Sequence, residues 1–322
     1  MKLLLPQLKS AILYQDGLTN MKQNGKIIKG VGGKYTVKCG VELVTARARG
    51  VFRHEQISPE VGDNVTLRIE NEGDAYIEDI AKRKNLLIRP PMANVDYMFI
   101  TAAAAKPAPI PATLDKLSAI CVHSDIVPVF VITKCDLDRE NGDKIAALYR
   151  NSGFTVFTLS AEDGEGIDDL KAFLKDNLKD KTAAFAGASG IGKSTLLNAI
   201  FPELSLATGG ISEKIARGKH TTRHVELFEA FGGLVADTPG FSMLDFMRFD
   251  FMNVDDLAYA FPEFENHLGR CRYKKCTHLC EDGCAVVEAL SRGEIEKSRH
   301  ESYVELYNIL KDKKEWKKIP QH

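Results

Sequence analysis

The chain has 322 residues, with 43 Lys+Arg against 44 Asp+Glu, a formal net charge of −1 at pH 7 and 44% hydrophobic residues. That length has room for two or three domains, and the near-zero charge excludes a globally basic nucleic-acid binder. No apolar run approaches the ~20 residues of a membrane-spanning helix, and Pro6 and Lys9 interrupt the opening Met1-Lys2-Leu3-Leu4-Leu5 too early for a secretory core. The expectation is a cytoplasmic protein that makes no membrane contact.

Up to about residue 84 the pattern is of short β segments broken by turns. Residues 26–30, 34–39, 42–48, 64–69 and 75–80 read as strands, separated by Gly32-Gly33, Gly50, the stretch from Pro59 to Gly62, and Glu72-Gly73. Five such strands predict a small barrel of OB type over residues 1–84. The charge is unevenly spread. Residues 1–60 hold ten Lys/Arg (Lys2, Lys9, Lys22, Lys26, Lys29, Lys34, Lys38, Arg47, Arg49, Arg53) against four acids, and Lys311, Lys313, Lys314, Lys317 and Lys318 crowd the other end. Two basic ends around a neutral middle suggest a polyanion gripped from two sides.

From about residue 85 to 245, apolar runs at 95–102, 128–133, 154–160 and 182–186 alternate with helical stretches. One helix shows Ile167, Leu170, Leu174 and Leu178 at helical spacing, and Pro111 opens another that contains Leu114, Leu117 and Ile120. Alternating β and α segments with continuously apolar strands predict a parallel sheet covered on both faces.

Thr133-Lys134-Cys135-Asp136 stands directly after one of these strands. A carboxylate there can accept from guanine N1–H and the N2 amine together, whereas adenine offers neither donor and would leave it unpaired. The stem of Lys134 can lie across the base. Ser160-Ala161 closes the next strand, where a backbone N–H can meet guanine O6.

Gly187-Ala188-Ser189-Gly190-Ile191-Gly192-Lys193-Ser194 matches the phosphate loop G-x-x-x-x-G-K-[ST], with an apolar strand before it and a helix-forming stretch from Thr195 after it. The glycines let backbone N–H groups curl around a phosphate, Lys193 supplies a charge for the β- and γ-phosphates, and Ser194 offers a hydroxyl to Mg²⁺. The polar stretch Arg217-Gly218-Lys219-His220-Thr221-Thr222-Arg223 follows, where Thr221 or Thr222 can complete the Mg²⁺ shell. Asp237-Thr238-Pro239-Gly240 comes next, at a strand end, suited to a Mg²⁺ contact by Asp237 and a γ-phosphate contact by Gly240. Base-reading elements thus precede the phosphate loop, a rotation of the usual GTPase order. A P-loop enzyme transferring phosphate to a metabolite would leave Asp136 and Ser160-Ala161 without a role.

After residue 246 the pattern turns mostly helical around Cys271, Cys276, His278, Cys280 and Cys284, predicting a small domain over 246–322. Three thiolates and an imidazole make a closed structural Zn²⁺ site. Four of these five can bind. Gly283 favours Cys284 by allowing a tight turn, and Cys280 is the alternative.

Thr133-Lys134-Cys135-Asp136, the phosphate loop, Lys219-His220-Thr221-Thr222, Asp237-Thr238-Pro239-Gly240 and the set Cys271, Cys276, His278, Cys284 together resemble the small-ribosomal-subunit-dependent GTPase A family, RsgA or YjeQ, over nearly the whole chain. The resemblance implies a GTP hydrolase, acting as a monomer with Mg²⁺ and one structural Zn²⁺, in late maturation of the small ribosomal subunit. It also implies that the barrel and the zinc region touch ribosomal RNA. Two departures stand out. Thr133 replaces the usual Asn, so a hydroxyl must tie the base loop to the phosphate loop. Phe241 stands after Gly240, where many GTPases carry a water-orienting Gln, and His220 is the nearest substitute, as the resemblance also suggests.

Overall fold

In the computed structural model, which describes residues 21–50, 52, 57–70, 74–88, 91–188, 190–202, 225–237 and 252–312, the N-terminal β segments close on themselves. The strands β1 (Met21–Val31), β2 (Lys34–Cys39), β3 (Glu42–Ala48), β4 (Asn64–Ile69) and β5 (Ala75–Ile80) form a barrel in the order β1-β2-β3-β5-β4. Alternation sends Ile27, Val37, Ala46, Leu67 and Ile77 inward to complete burial. β1 begins five residues earlier than its sequence suggests, because Met21 to Gly25 pair with β4 from Ile69 to Val65. Lys22, Gln23 and Asn24 carry no apolar alternation, so only the partner strand defines that extension.

A short hairpin, β6 (Leu86–Ile88) and β7 (Pro91–Ala93), links the barrel to the next layer. Asp63, fully buried in the turn that leads into β4, is held by Arg83 Nε at 2.7 Å and by the Glu60 N–H at 2.8 Å. The three-residue strands of the hairpin are too short to register as a pattern.

The central sheet runs β10-β9-β8-β11-β13-β12, from β8 (Tyr97–Ala103), β9 (Val127–Thr133), β10 (Thr155–Thr158), β11 (Thr182–Ala186), β12 (Leu227–Ala230) and β13 (Gly233–Asp237). Five strands are parallel, and β12 alone is antiparallel, on the edge. The sequence reading of a parallel sheet includes no strand at 227–230. The difference arises at Phe231-Gly232, both at positive φ, a two-residue turn that folds β12 back along β13.

Both faces are covered, as continuously apolar strands require. On one face Met98, Ile100, Phe130 and Ile132 pack with residues of α1 (Pro111–His123) and α2 (Arg139–Asn151), where Phe130 stacks on Tyr149 at 3.8 Å between centroids. On the other, Phe99 and Phe185 stack at 4.6 Å beneath Leu170 and Leu174 of α3 (Ile167–Asn177) and Leu196 and Leu197 of α4 (Lys193–Ile200).

The C-terminal part comprises 3-10 segments Val254–Ala260 and Pro262–His267 and the helices α5 (Ala285–Ser291) and α6 (Lys297–Lys311). It shares the first core cluster through Leu257, Phe261, Phe264 and Tyr303. Its anchor is Arg299, wholly buried, whose Nη1 donates to Asp115 Oδ1 of α1 at 2.8 Å and whose Nε donates to Glu263 Oε1 at 2.7 Å. Asp115 also accepts from Tyr149 of α2 at 3.0 Å and from Ser302 at 2.6 Å. The guanidinium lies 4.7 Å from the Phe261 ring centroid. Burial alone would lower its pKa, but Glu263 and Asp115 outweigh that and hold the charge.

Truncating Arg299 to Ala leaves two buried carboxylates without their cation. The expected loss is about 3–5 kcal/mol of unfolding free energy, read by denaturant titration. A loss under about 1 kcal/mol would show that the pair is not a structural tie.

Candidate functional site

The parallel register brings the sequence motifs to a single edge. Ala103 of β8 sits opposite Thr133 of β9, Ile132 opposite Thr158 of β10, Ala186 of β11 opposite Ile100 of β8, and Phe185 opposite Asp237 of β13. The loops beginning at Thr133, Ser160 and Gly187 therefore leave the same carboxyl edge, where open α/β sheets bind ligands.

The phosphate loop springs from β11 and ends in α4. A Cβ on Gly187 would lie 2.2 Å from Ile191 Cδ1 and 2.8 Å from Thr101 O, so no other residue fits there without displacing backbone. Ala188 and Gly190 carry the chain over to Ile191, which is buried, and Gly192 takes a left-handed conformation directly before α4. Leu196, Leu197 and Ile200 bury the helix's inner face and fix the direction of its N-terminus, where unsatisfied N–H groups and the macrodipole favour an anion. Lys193 and Ser194 are half-buried in the first turn and Thr195 is exposed. Burial pushes the Lys193 ammonium down to about 8, and a phosphate beside it would push it back up.

Two donors stitch the base loop to the phosphate loop. The buried Thr133 hydroxyl donates to Ile191 O at 2.6 Å and lies 3.2 Å from Ala102 O. Lys134, at φ +58°, sends Nζ to Gly190 O at 2.8 Å and Lys106 O at 2.7 Å. The tie expected of an Asn is thus made by the shorter Thr133, while the role of the Lys134 ammonium, and of the Lys106 carbonyl it meets, has no signature in the sequence. Cys135 is buried, and burial pushes its thiol up. Asp136 is exposed at the loop's tip. Asp138 accepts from the Asn141 N–H at 3.0 Å and so starts α2 immediately after the loop. Ser160 is fully buried, its hydroxyl 3.2 Å from both the Asp163 N–H and its carboxylate, and Ala161 is half-exposed beside it. The side chain of Asp237 and residues Ser189, Lys219, His220, Thr221, Thr222, Gly240 and Phe241 lie outside what the structure describes.

The second cluster lies in the C-terminal part. One donor atom from each of Cys271, Cys276, His278 and Cys284 falls within 4.8 Å of the others. His278 Nδ1 is 3.5 Å from both the Cys271 and Cys284 sulfurs. Gly283, at φ +69°, makes the turn that brings Cys284 in, whereas Cys280 points outward and is exposed. Cys284, rather than Cys280, is the one of the two that lies in the cluster. Three sulfurs and an imidazole nitrogen fit a tetrahedral Zn²⁺ in chemistry and number. Burial, with the neighbouring thiols, pushes Cys276 up to about 12, a cost that a divalent cation removes by taking the thiolate. The supporting contacts have no motif. His300 Nε2 meets His278 O at 2.8 Å, Tyr303 Oη donates to Thr277 O at 2.8 Å, and the Glu281 carboxylate accepts the N–H groups of Thr277, Leu279 and Cys280. Burial works against the Glu281 charge, yet the Thr277 hydroxyl and the N–H groups of Thr277, Glu281 and Cys280 hold its pKa down to about 2.

Exchange of Cys276 for Ser should cost the cluster its metal and loosen α5 and α6 against α1, with nucleotide binding retained, because metal affinity in a small site is folding energy. Elemental analysis for zinc and limited proteolysis check this. Full zinc content in the variant would assign the ligands elsewhere.

Comparison with known proteins agrees with this geometry. The RsgA GTPase family model matches residues 80–247 and the RsgA N-terminal domain model residues 24–77. The small ribosomal subunit biogenesis GTPase RsgA of Bacillus subtilis strain 168 is 43% identical over 299 residues, covering 90% of this chain and 98% of that relative. Its counterpart in Geobacillus kaustophilus is 42% identical over 294 residues, with the same coverage. Among solved structures, YloQ, described as a circularly permuted GTPase, superposes with a TM-score of 0.74 at 38% identity over 92% of this chain and 98% of its own. YjeQ from Thermotoga maritima gives 0.76 at 32% identity, over 91% of this chain and all of its own. With base loop before phosphate loop on one sheet edge, a closed barrel in front and a Cys₃His cluster behind, the chain belongs to the RsgA family of circularly permuted GTPases.

Proposed function

We propose that this protein hydrolyses GTP on the small ribosomal subunit, assists the subunit's late maturation, and is switched on by it. The observation that carries the reading is the joining of Thr133 and Lys134 to Ile191 and Gly190, which couples a base-reading loop to a phosphate loop across the sheet edge. Its relatives' names support the ribosomal partner. No helix among the described residues is long and apolar enough to cross a membrane. The working assignment is a cytoplasmic monomer with a barrel over 1–84, a GTPase domain over 85–245 and a zinc region over 246–322.

In this assignment Asp136 pairs with guanine N1–H and N2, and the Ala161 N–H beside Ser160 meets O6. Gly187, Ala188, Ser189, Gly190, Ile191, Gly192 and Thr195 surround the phosphates with backbone donors, while Lys193 spans the β- and γ-phosphates. Ser194, Thr221 or Thr222, and Asp237 are the residues that would hold Mg²⁺, which when bound neutralises charge between those phosphates. Gly240 donates to the γ-phosphate. His220 orients the attacking water and accepts its proton, since Phe241 can do neither. The exposed Lys22, Lys34, Arg47 and Arg49 of the barrel meet ribosomal RNA phosphates.

Asp136→Asn should weaken GTP and favour xanthosine triphosphate, whose C2 carbonyl needs a donor. Competition binding reads this, and equal competition by ATP in the unmodified protein would remove Asp136 from base recognition. Turnover with and without purified small subunits tests the function itself: free protein should be slow and subunits should accelerate it. His220→Ala should lose roughly 10²-fold or more of the stimulated rate with GTP affinity kept. Unmodified turnover that ignores the subunit would refute the proposed function, and full stimulation in His220→Ala would move the catalytic group to the ribosome.

A further inference from the structure

The barrel meets the edge of the GTPase sheet along a seam of opposite charges. Lys29 Nζ of β1 donates to Glu226 Oε2 at 2.6 Å, and the same two residues form an isolated antiparallel backbone bridge. Lys38 of β2 pairs with Glu229 of β12 and donates to Gly40 O at 2.7 Å. Both lysines belong to one hairpin, and both glutamates belong to one edge stretch, Glu226 one residue ahead of β12 and Glu229 within it.

The seam is wet. The side chains of the first pair are 42% and 55% exposed, and those of the second 25% and 65%. Exposed ion pairs are weak and exchange readily for other counter-charges. These lysines lie on the same β1–β2 hairpin as Lys22 and Lys34, whose side chains are exposed and whose charge has the sign an RNA backbone requires. A carboxylate held against an ammonium also repels a phosphate arriving at it.

We infer that Glu226 and Glu229 occupy the places of two phosphates. Lys29 and Lys38 are a shared pair of cations, engaged by the β12 edge in the free protein and by RNA phosphates in the bound one. This rests on the barrel being an RNA-contacting element, as proposed above. RNA and the β12 edge then compete for the same ammonium groups, and the winner decides whether the edge is pinned to the barrel. β12 pairs in register with β13 from Leu227↔Ala236 to Ala230↔Gly233, and β13 ends at Asp237 on the nucleotide edge. Occupancy of the barrel by RNA is thereby felt two strands away from the phosphate loop's own strand.

Three full-length variants test the competition: E226Q/E229Q, K29Q/K38Q, and all four together, each checked for unchanged thermal melting and GTP binding. Co-sedimentation with purified small subunits is measured across a KCl series. E226Q/E229Q should bind about 3- to 10-fold tighter than the unmodified protein at low salt, with a steeper fall of log K against log salt, since salt screens the exposed Glu–Lys pairs that compete with RNA in the unmodified protein. K29Q/K38Q should bind about 10-fold more weakly, and the fourfold variant should match it. Unchanged affinity in E226Q/E229Q, or a gain that survives loss of the lysines, overturns the competition while leaving the proposed function intact. A gain without a change in salt slope places the contact on a ribosomal protein and also overturns it. An unmodified protein that fails to bind subunits at low salt in either nucleotide state defeats both.

Discussion

A parallel sheet has one carboxyl edge, and every strand must deliver its loop there. That constraint is what allows the motif order to be rotated. Thr133 comes 58 residues before Ile191 in the chain, yet their hydrogen bond closes at 2.6 Å because β9 and β11 flank β8 in register. Chain order decides which surface connections exist, and the sheet decides which loops meet. The bond runs from a side chain to a backbone carbonyl, so it constrains the path of the phosphate loop without depending on any other side chain. Lys134 adds a second such constraint on Gly190.

The same economy holds on the face below. α2 is capped by Asp138, two residues after Asp136, and carries Tyr149 to Asp115, which is also the anchor of Arg299. The base loop, α1, α2 and α6 are therefore mounted on one buried carboxylate. From α6, His300 and Tyr303 hold the backbone of the Cys₃His cluster at His278 and Thr277. The C-terminal part is accordingly fastened to the side of the sheet from which the Thr133 loop leaves.

Much of this could be read from the sequence where a residue's role is local. The barrel strands announce themselves because alternate residues must face a core, and the phosphate loop because its glycines answer to local sterics. The Cys/His spacing is local too, and Gly283 is the local feature that favours Cys284 over Cys280. What could not be read depends on partners far away in the chain. The start of β1 is defined by β4, β12 by a Phe-Gly turn outside the usual hairpin dipeptides, and Arg299 reads as one more surface charge on a helix until Asp115 and Glu263 are placed beside it. Glu281 is hidden for another reason: apart from the Thr277 hydroxyl, its partners are backbone N–H groups, which every sequence contains.

The Asp115–Arg299 pair also has a history within each molecule's synthesis. The two residues are 184 positions apart. At about 5–20 residues per second the chain needs roughly 10–40 s to make the second after the first. Throughout that interval α1 can form, but its aspartate faces the core position without the guanidinium that makes burial tolerable. The central sheet thus reaches its final packing on this face only once α6 has emerged. A packing interaction begun by a residue of α1 is in this way completed by one of the last residues of the described chain to be made.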